Sequence, residues 1–194
     1  MPEVVLATHN KHKVAELRRI VGPALDGIEL LSYDGPEPVE DGDSFAANAL
    51  IKARAAAAHT GLPALADDSG ISVDALGGAP GIHSARYAGT RNDHDNLELL
   101  LENLGDAEDR TARFTAAAAF VLPDGREFVE VGVWEGSVLH EAAGGGGFGY
   151  DPIFRPGGMT ISAAELRPDE KNAISHRARA FTAIMPMVRR ELLR

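Results

Sequence analysis

The sequence predicts a mixed α/β fold, and three observations carry that expectation. Short apolar runs alternate with stretches of helical periodicity, a strand–turn–strand pair stands in the second half, and no linker or repeat divides the 194 residues. The length suits one domain over residues 1–194, with chain enough for a substantial core.

The elements follow in order. Val4-Val5-Leu6-Ala7 reads as a buried strand. Residues 11–21 place Val14, Leu17, Ile20 and Val21 at helical spacing, and Gly22-Pro23 stops that helix. A second strand is expected over 28–31, before a proline- and acid-rich loop over 34–43. A long helix follows at 45–59, with Ser44 as N-cap and Gly61 just past its end. Its alanines (Ala46, Ala49, Ala53, Ala56, Ala57) permit close packing, although helix propensity alone explains most of them. Residues 62–66 read as a buried strand that ends in Asp67-Asp68-Ser69-Gly70. Leu97, Leu100, Leu101 and Leu104 predict a helix over 93–104. Strands over 114–122 and 127–139 flank Pro123-Asp124-Gly125-Arg126, which predicts a hairpin. Five glycines stand in the six residues 144–149, and 175–193 form a closing helix that Pro186 kinks or divides.

Composition narrows the function classes. With 44% apolar and 25% charged residues, the chain has the profile of a soluble globular protein. No apolar run approaches the roughly 18 residues of a membrane helix, and the first residues lack a signal-peptide pattern. The absence of cysteine excludes disulfides and thiolate metal sites, and fits a cytoplasmic protein. A formal charge of −10 argues against nucleic acid as a partner, which needs a basic face. It leaves room for a phosphate-bearing small molecule held by local cations or a metal ion.

Four segments concentrate polar chemistry. Thr8-His9-Asn10-Lys11-His12-Lys13 stands at a strand-to-helix turn, where backbone N–H groups and two lysines favour an anion; a capped helix start with solvated lysines is the simpler reading. It matches neither the Walker loop nor the dinucleotide fingerprint. Asp67-Asp68 places two carboxylates at a strand end, a repulsion that a divalent cation would offset, or else forms an Asx turn. The glycine-rich segment through Phe148-Gly149-Tyr150-Asp151-Pro152 allows close backbone approach and offers rings for a base, or forms a flexible hairpin loop. Lys171 with Ser175-His176-Arg177 puts cations at a helix start, where they oppose the helix dipole; they are held there by a bound anion or are simply solvated. Each signal is weak, but together they describe a nucleotide site.

Thr8 to Lys13, Leu65-Ala66-Asp67-Asp68-Ser69-Gly70, Leu76-Gly77-Gly78-Ala79-Pro80-Gly81, Ser84-Ala85-Arg86-Tyr87, Gly146-Gly147-Phe148-Gly149-Tyr150-Asp151-Pro152 and Ser175-His176-Arg177 stand in one order. In this the chain resembles the inosine triphosphate pyrophosphatase family, also called dITP/XTP pyrophosphatases, over nearly its whole length. The resemblance implies an elongated, two-lobed mixed-sheet α/β fold around a central cleft, a homodimer, and Mg²⁺ as cofactor. It implies hydrolysis of non-standard purine nucleoside triphosphates (ITP, dITP, XTP) to the monophosphate and pyrophosphate, which cleanses the nucleotide pool.

By the same resemblance Asp68 is the catalytic carboxylate and metal ligand. The turn carrying Thr8, His9, Asn10, Lys11, His12 and Lys13 lines the phosphates, with Lys52 beside it, and Ser69 touches substrate. Phe148, Gly149, Tyr150 and Asp151 surround base and sugar, and Lys171, His176 and Arg177 complete recognition. Two positions depart from the family pattern. His9 replaces the usual glycine, and Ala47 replaces an acid that would close a capping box with Ser44. If that acid also helped hold metal, Glu40 is the nearest substitute. Two other readings stay open: a pyrophosphatase for pyrimidine or modified nucleotides, as in Maf-like proteins, and a nucleotide-binding module without catalysis.

Overall fold

Strands and helices alternate up to residue 121, after which two more strands and then two helices follow, and the computed structural model describes all 194 residues. Six strands form one mixed sheet in the order β2-β1-β3-β4-β5-β6. They are β1 (Glu3–Leu6), β2 (Glu29–Ser32), β3 (Ala64–Val73), β4 (Thr111–Val121), β5 (Glu127–Val138) and β6 (Phe154–Pro156). The helices are α1 (Lys11–Val21), α2 (Phe45–Thr60), α3 (Asp93–Leu104), α4 (Pro168–Ile174) and α5 (His176–Leu192). β1 pairs in parallel with β2 and with β3, while β6 closes the sheet antiparallel to β5. No helix is long and apolar enough to cross a membrane.

The chain forms two compact units. The first comprises residues 1–68, 116–132 and 176–194, and the second 69–115 and 133–175. Three of the four crossings fall inside β3, β4 and β5, and the fourth between α4 and α5, so no linker-like stretch announces them in the sequence.

In the first unit, strand alternation sorts side chains into two cores. Val4, Leu6, Leu65, Ala116 and Ala118 face Leu17 and Val21 of α1 and Phe181, Ile184 and Val188 of α5. Val5, Ala64, Ala66, Ala117 and Ala119 face Ala49, Ala53, Ala56 and Ala57 of α2. The alanines of α2 are therefore packing residues and not merely helix formers. Small side chains on both helix and strand let the two backbones approach closely. Ser44 caps α2 by accepting from the Ala47 N–H, and Gly61 closes it at φ 70°.

In the second unit, Ile71, Val73, Leu97, Leu100, Phe114, Trp134 and Phe154 build a separate core. Phe114 meets Phe154 edge-on at 4.5 Å between centroids, a favoured aromatic geometry. Asn92 caps α3 by accepting from the His94 and Asp95 N–H groups.

Three expectations need correction. The strand expected over 62–66 runs on to Val73, so Asp67 and Asp68 lie inside β3 and not at its end. Their burial is tolerated because neighbouring cations supply the partners described below. Residues 168–174 form α4, a helix not foreseen although Pro168 at its first position and Glu170 at its third are start signals. Finally, α5 begins at His176, and of the two effects expected of Pro186 division is ruled out, because one helix runs through it; Ile184, Met185 and Val188 pack it on both sides of the proline.

Candidate active site

The turn after β1 is organised by its own side chains. Asn10 Oδ1 accepts from the N–H groups of His12 (3.0 Å) and Lys13 (3.2 Å), and Thr8 Oγ1 accepts from the Asn10 N–H (3.2 Å). Two of the helix-start donors offered to an anion in the sequence reading are thus taken by the N-cap. Lys11 and His12 are exposed on the first turn of α1, whereas Lys13 turns inward, its Nζ 3.2 Å from Asp67 Oδ2.

Consecutive strand residues point to opposite faces, and Asp67 and Asp68 use this to take different partners. Asp67, 1% exposed, receives Lys13 and the Arg177 Nε at 3.2 Å, and Arg177 also reaches Glu16 at 2.6 Å. Asp68, 8% exposed, lies 3.3 Å from Lys52 Nζ, which is also 3.1 Å from Glu40. The cost of two adjacent acids is therefore offset by three cations of the chain itself. The cation at the start of α5 has a matching explanation, since the anions beside Arg177 are Asp67 and Glu16.

The same geometry splits the two acids electrostatically. Burial alone would raise Asp67, but Lys13, Arg177 and Lys52 outweigh it and hold the carboxyl well below the usual carboxylate range. For Asp68 burial wins over Lys52 and Lys13, with Glu40 and Asp67 adding repulsion, so its pKa rises. Lys52 is pulled down by burial but raised overall by Asp68, Asp67 and Glu40. Burial lowers Lys13, with Lys52 and Arg177 adding to the fall against the pull of Asp67.

One side-chain oxygen of each acid, Asp67 Oδ1 and Asp68 Oδ2, is buried without a hydrogen-bond partner. No group of three histidine or acidic side chains stands ready as a complete metal cage. Mg²⁺ does not require one, because it is commonly bound by one or two carboxylates plus water and substrate phosphates. Asp68, whose Oδ1 meets Lys52 and whose Oδ2 is left over, and the Glu40 carboxylate on the same ammonium are hard oxygen donors that fit that pattern.

The second unit holds another cluster. Asp151 Oδ2 accepts from Lys171 Nζ at 2.6 Å and from the Phe148 N–H at 3.0 Å, and the Lys171 ammonium lies 5.0 Å over the Phe148 ring. Gly147 has φ 65°, and a Cβ there would collide with Asp151 Oδ2, so glycine is required on both counts. The next N–H, of Gly149, donates to Asp93 Oδ2 at 2.9 Å. The segment is thus a tied turn and not a flexible loop. Tyr150 belongs to the core, its hydroxyl donating to the Ser84 carbonyl at 2.6 Å, so Phe148 is the half-buried ring at this cluster.

Of the site residues expected from sequence, the structure gathers Lys13, Lys52, Asp68, Arg177 and Glu40 in the first unit. It gathers Phe148, Gly149, Asp151 and Lys171 in the second. Ser69 is half-buried one step beyond Asp68 on β3, and His176 is buried at the start of α5. Three contributors were missed. Asp67 was quoted but given no role of its own, Glu16 carries no local signal beyond lying one turn from Lys13, and Asp93 read only as a helix start.

Known proteins resemble this chain over nearly its whole length. The model of the Ham1 family matches residues 4–187. A dITP/XTP pyrophosphatase from Leifsonia xyli is 59% identical over 97% of this chain and 96% of its own length. One from Streptomyces coelicolor is 52% identical over the whole of both chains. Among solved structures, a HAM1 protein from Coxiella burnetii superposes with a TM-score of 0.88 at 42% identity, covering 97% of this chain and 98% of that one. On sequence and on structure alike, this chain belongs to the Ham1 family.

Proposed function

We propose that this protein hydrolyses non-standard purine nucleoside triphosphates, ITP, dITP and XTP, to the monophosphate and pyrophosphate in a Mg²⁺-dependent reaction. The observation that carries the proposal is the near-full-length match, at 59% identity, to a protein named dITP/XTP pyrophosphatase. The buried acid–lysine cluster supports it with a suitable chemistry.

In this reading water attacks the α-phosphorus, the bond from that phosphorus to the bridging oxygen breaks, and pyrophosphate leaves. Asp68 orients the water and takes its proton; a raised pKa makes it a better base than an ordinary aspartate. Lys52 and Lys13 stabilise charge on the departing pyrophosphate, and the turn over Thr8, His9, Asn10, Lys11 and His12 lines the phosphates. Bound Mg²⁺, held by Asp68 and Glu40, would supply Lewis acidity and a template for the triphosphate. Asp67 and Arg177 keep Lys13 and α1 in place, so Arg177 acts chiefly through its buried ion pairs. Base and sugar contacts are assigned to Ser69, Phe148, Gly149, Tyr150, Asp151, Lys171 and His176. Selection of a 6-oxo purine follows if adenine leaves buried polar groups unpaired. The same reading makes the protein a cytoplasmic homodimer that cleanses the nucleotide pool.

The test is pyrophosphate release from ITP, XTP, dITP, GTP and ATP, with and without Mg²⁺. Rapid release from ITP and XTP, slow release from ATP and dependence on Mg²⁺ are expected. Equal rates across the bases would sink the selectivity, and nucleotide binding without release would leave only a binding module.

A further inference from the structure

His9 is turned toward the acidic loop over residues 34–43. Its Nδ1 lies 3.0 Å from Glu37 Oε1, and its ring packs against Tyr33 at 5.5 Å between centroids. Tyr33 is buried, and its hydroxyl donates to the Pro36 carbonyl at 3.0 Å. At the far end of the loop the Gly42 N–H donates to Asn48 Oδ1 at 2.8 Å. Between these two anchors lies Glu40, whose carboxylate meets Lys52 beside Asp68. A glycine at position 9 could supply neither the ring contact nor the contact with Glu37.

We propose that His9 and Glu37 form a latch that fixes the acidic loop to the turn after β1, making His9 a positioning residue for Glu40. The His9–Glu37 contact is half-exposed, with side chains 35% and 51% accessible, so its own effect is modest. Its leverage comes from position. Glu37 lies three residues from Glu40, inside a segment already held at both ends, so the latch removes much of the freedom that remains. The significance of holding Glu40 rests on the metal-binding role proposed for it above; the latch itself does not.

The experiment compares His9→Gly, Glu37→Gln and the double variant by amide hydrogen exchange of residues 34–43 in the ligand-free full chain. Each single variant should speed exchange about threefold, the scale of one partly exposed side-chain contact. The double variant should exchange no faster than His9→Gly. Unchanged exchange in both single variants overturns the latch, and so does additive acceleration, which would mean that the two side chains act separately. In a second arm, Glu37→Gln should raise the Mg²⁺ concentration for half-maximal pyrophosphate release while leaving kcat at saturating Mg²⁺ intact. An unchanged Mg²⁺ requirement alongside faster exchange would remove the link to Glu40. If the wild-type protein released no pyrophosphate, the functional reading would fall while hydrogen exchange still decided the latch.

Discussion

Each unit of the molecule buries an ion cluster, and the two clusters treat their carboxylates differently. In the second unit, a single oxygen of Asp151 serves both the Lys171 ammonium and the Phe148 N–H, a short and well-satisfied arrangement. In the first unit, Asp67 and Asp68 meet three cations, yet each keeps one buried oxygen without a donor. An unsatisfied buried polar atom costs about 1–3 kcal/mol, so native proteins keep few of them. Tolerating two on adjacent residues is reasonable where something else must bind. In the proposed reading the first cluster carries the hydrolytic chemistry, while the second also ties the turn that presents Phe148 and Gly149.

The largest effect should follow from breaking the open cluster at its centre. Asp68→Asn keeps the shape but removes the charge proposed to take the proton, and kcat for pyrophosphate release from ITP should fall about 10²–10⁴-fold. Its folding should be little disturbed, because Lys52 keeps Glu40 as a partner. Near wild-type turnover with a normal Mg²⁺ requirement would remove Asp68 from the mechanism and, with it, the contrast between the clusters.

Breaking the closed cluster should show mainly in stability. Lys171→Met leaves Asp151 as a buried charge without its ammonium partner, a change that costs about 3–5 kcal/mol in comparable buried pairs. Urea unfolding followed by circular dichroism measures this directly. A loss below about 1 kcal/mol, the range of an exposed pair, would mean that the Asp151–Lys171 clamp is not sealed from water.

Much of this fold could be read from residue pattern. The spacing of Val14, Leu17 and Val21 located α1, Ser44 and Gly61 bounded α2, and the four leucines over 97–104 marked α3. Those signals are local, since a helix face or cap is written within a few residues. The extent of β3 was not legible, because Asp67-Asp68 looks like a strand end until Lys13, Lys52 and Arg177 arrive from three other elements. Long-range charge pairing of this kind leaves no periodicity. For the same reason Glu16 and the His9–Glu37 contact were invisible, whereas α4 was missed despite its Pro168 and Glu170 start signals. The site residues were named mainly through ordered motifs. Their opposite electrostatic biases emerged only from the packing.

The smallest expected effect separates the two units by pH. Asp67 is held low, so its stabilisation is present above the ordinary carboxylate range and fades as pH falls below it. Tyr150 works at the other limit. Burial, with Tyr87 and Asp93 adding repulsion, raises its pKa above the ordinary tyrosine value of about 10. The unfolded chain then loses this proton first, so stability declines as pH rises from about 10 through the folded-state pKa. Tyr150→Phe removes the hydrogen bond to Ser84 and should cost about 0.5–1.5 kcal/mol at neutral pH. It should also flatten the alkaline decline, so that wild type and variant converge above about pH 10. Urea unfolding across that range decides the point. Parallel curves would show that Tyr150 ionises alike folded and unfolded, and the second unit would then have no alkaline limit to set against the acid limit of Asp67.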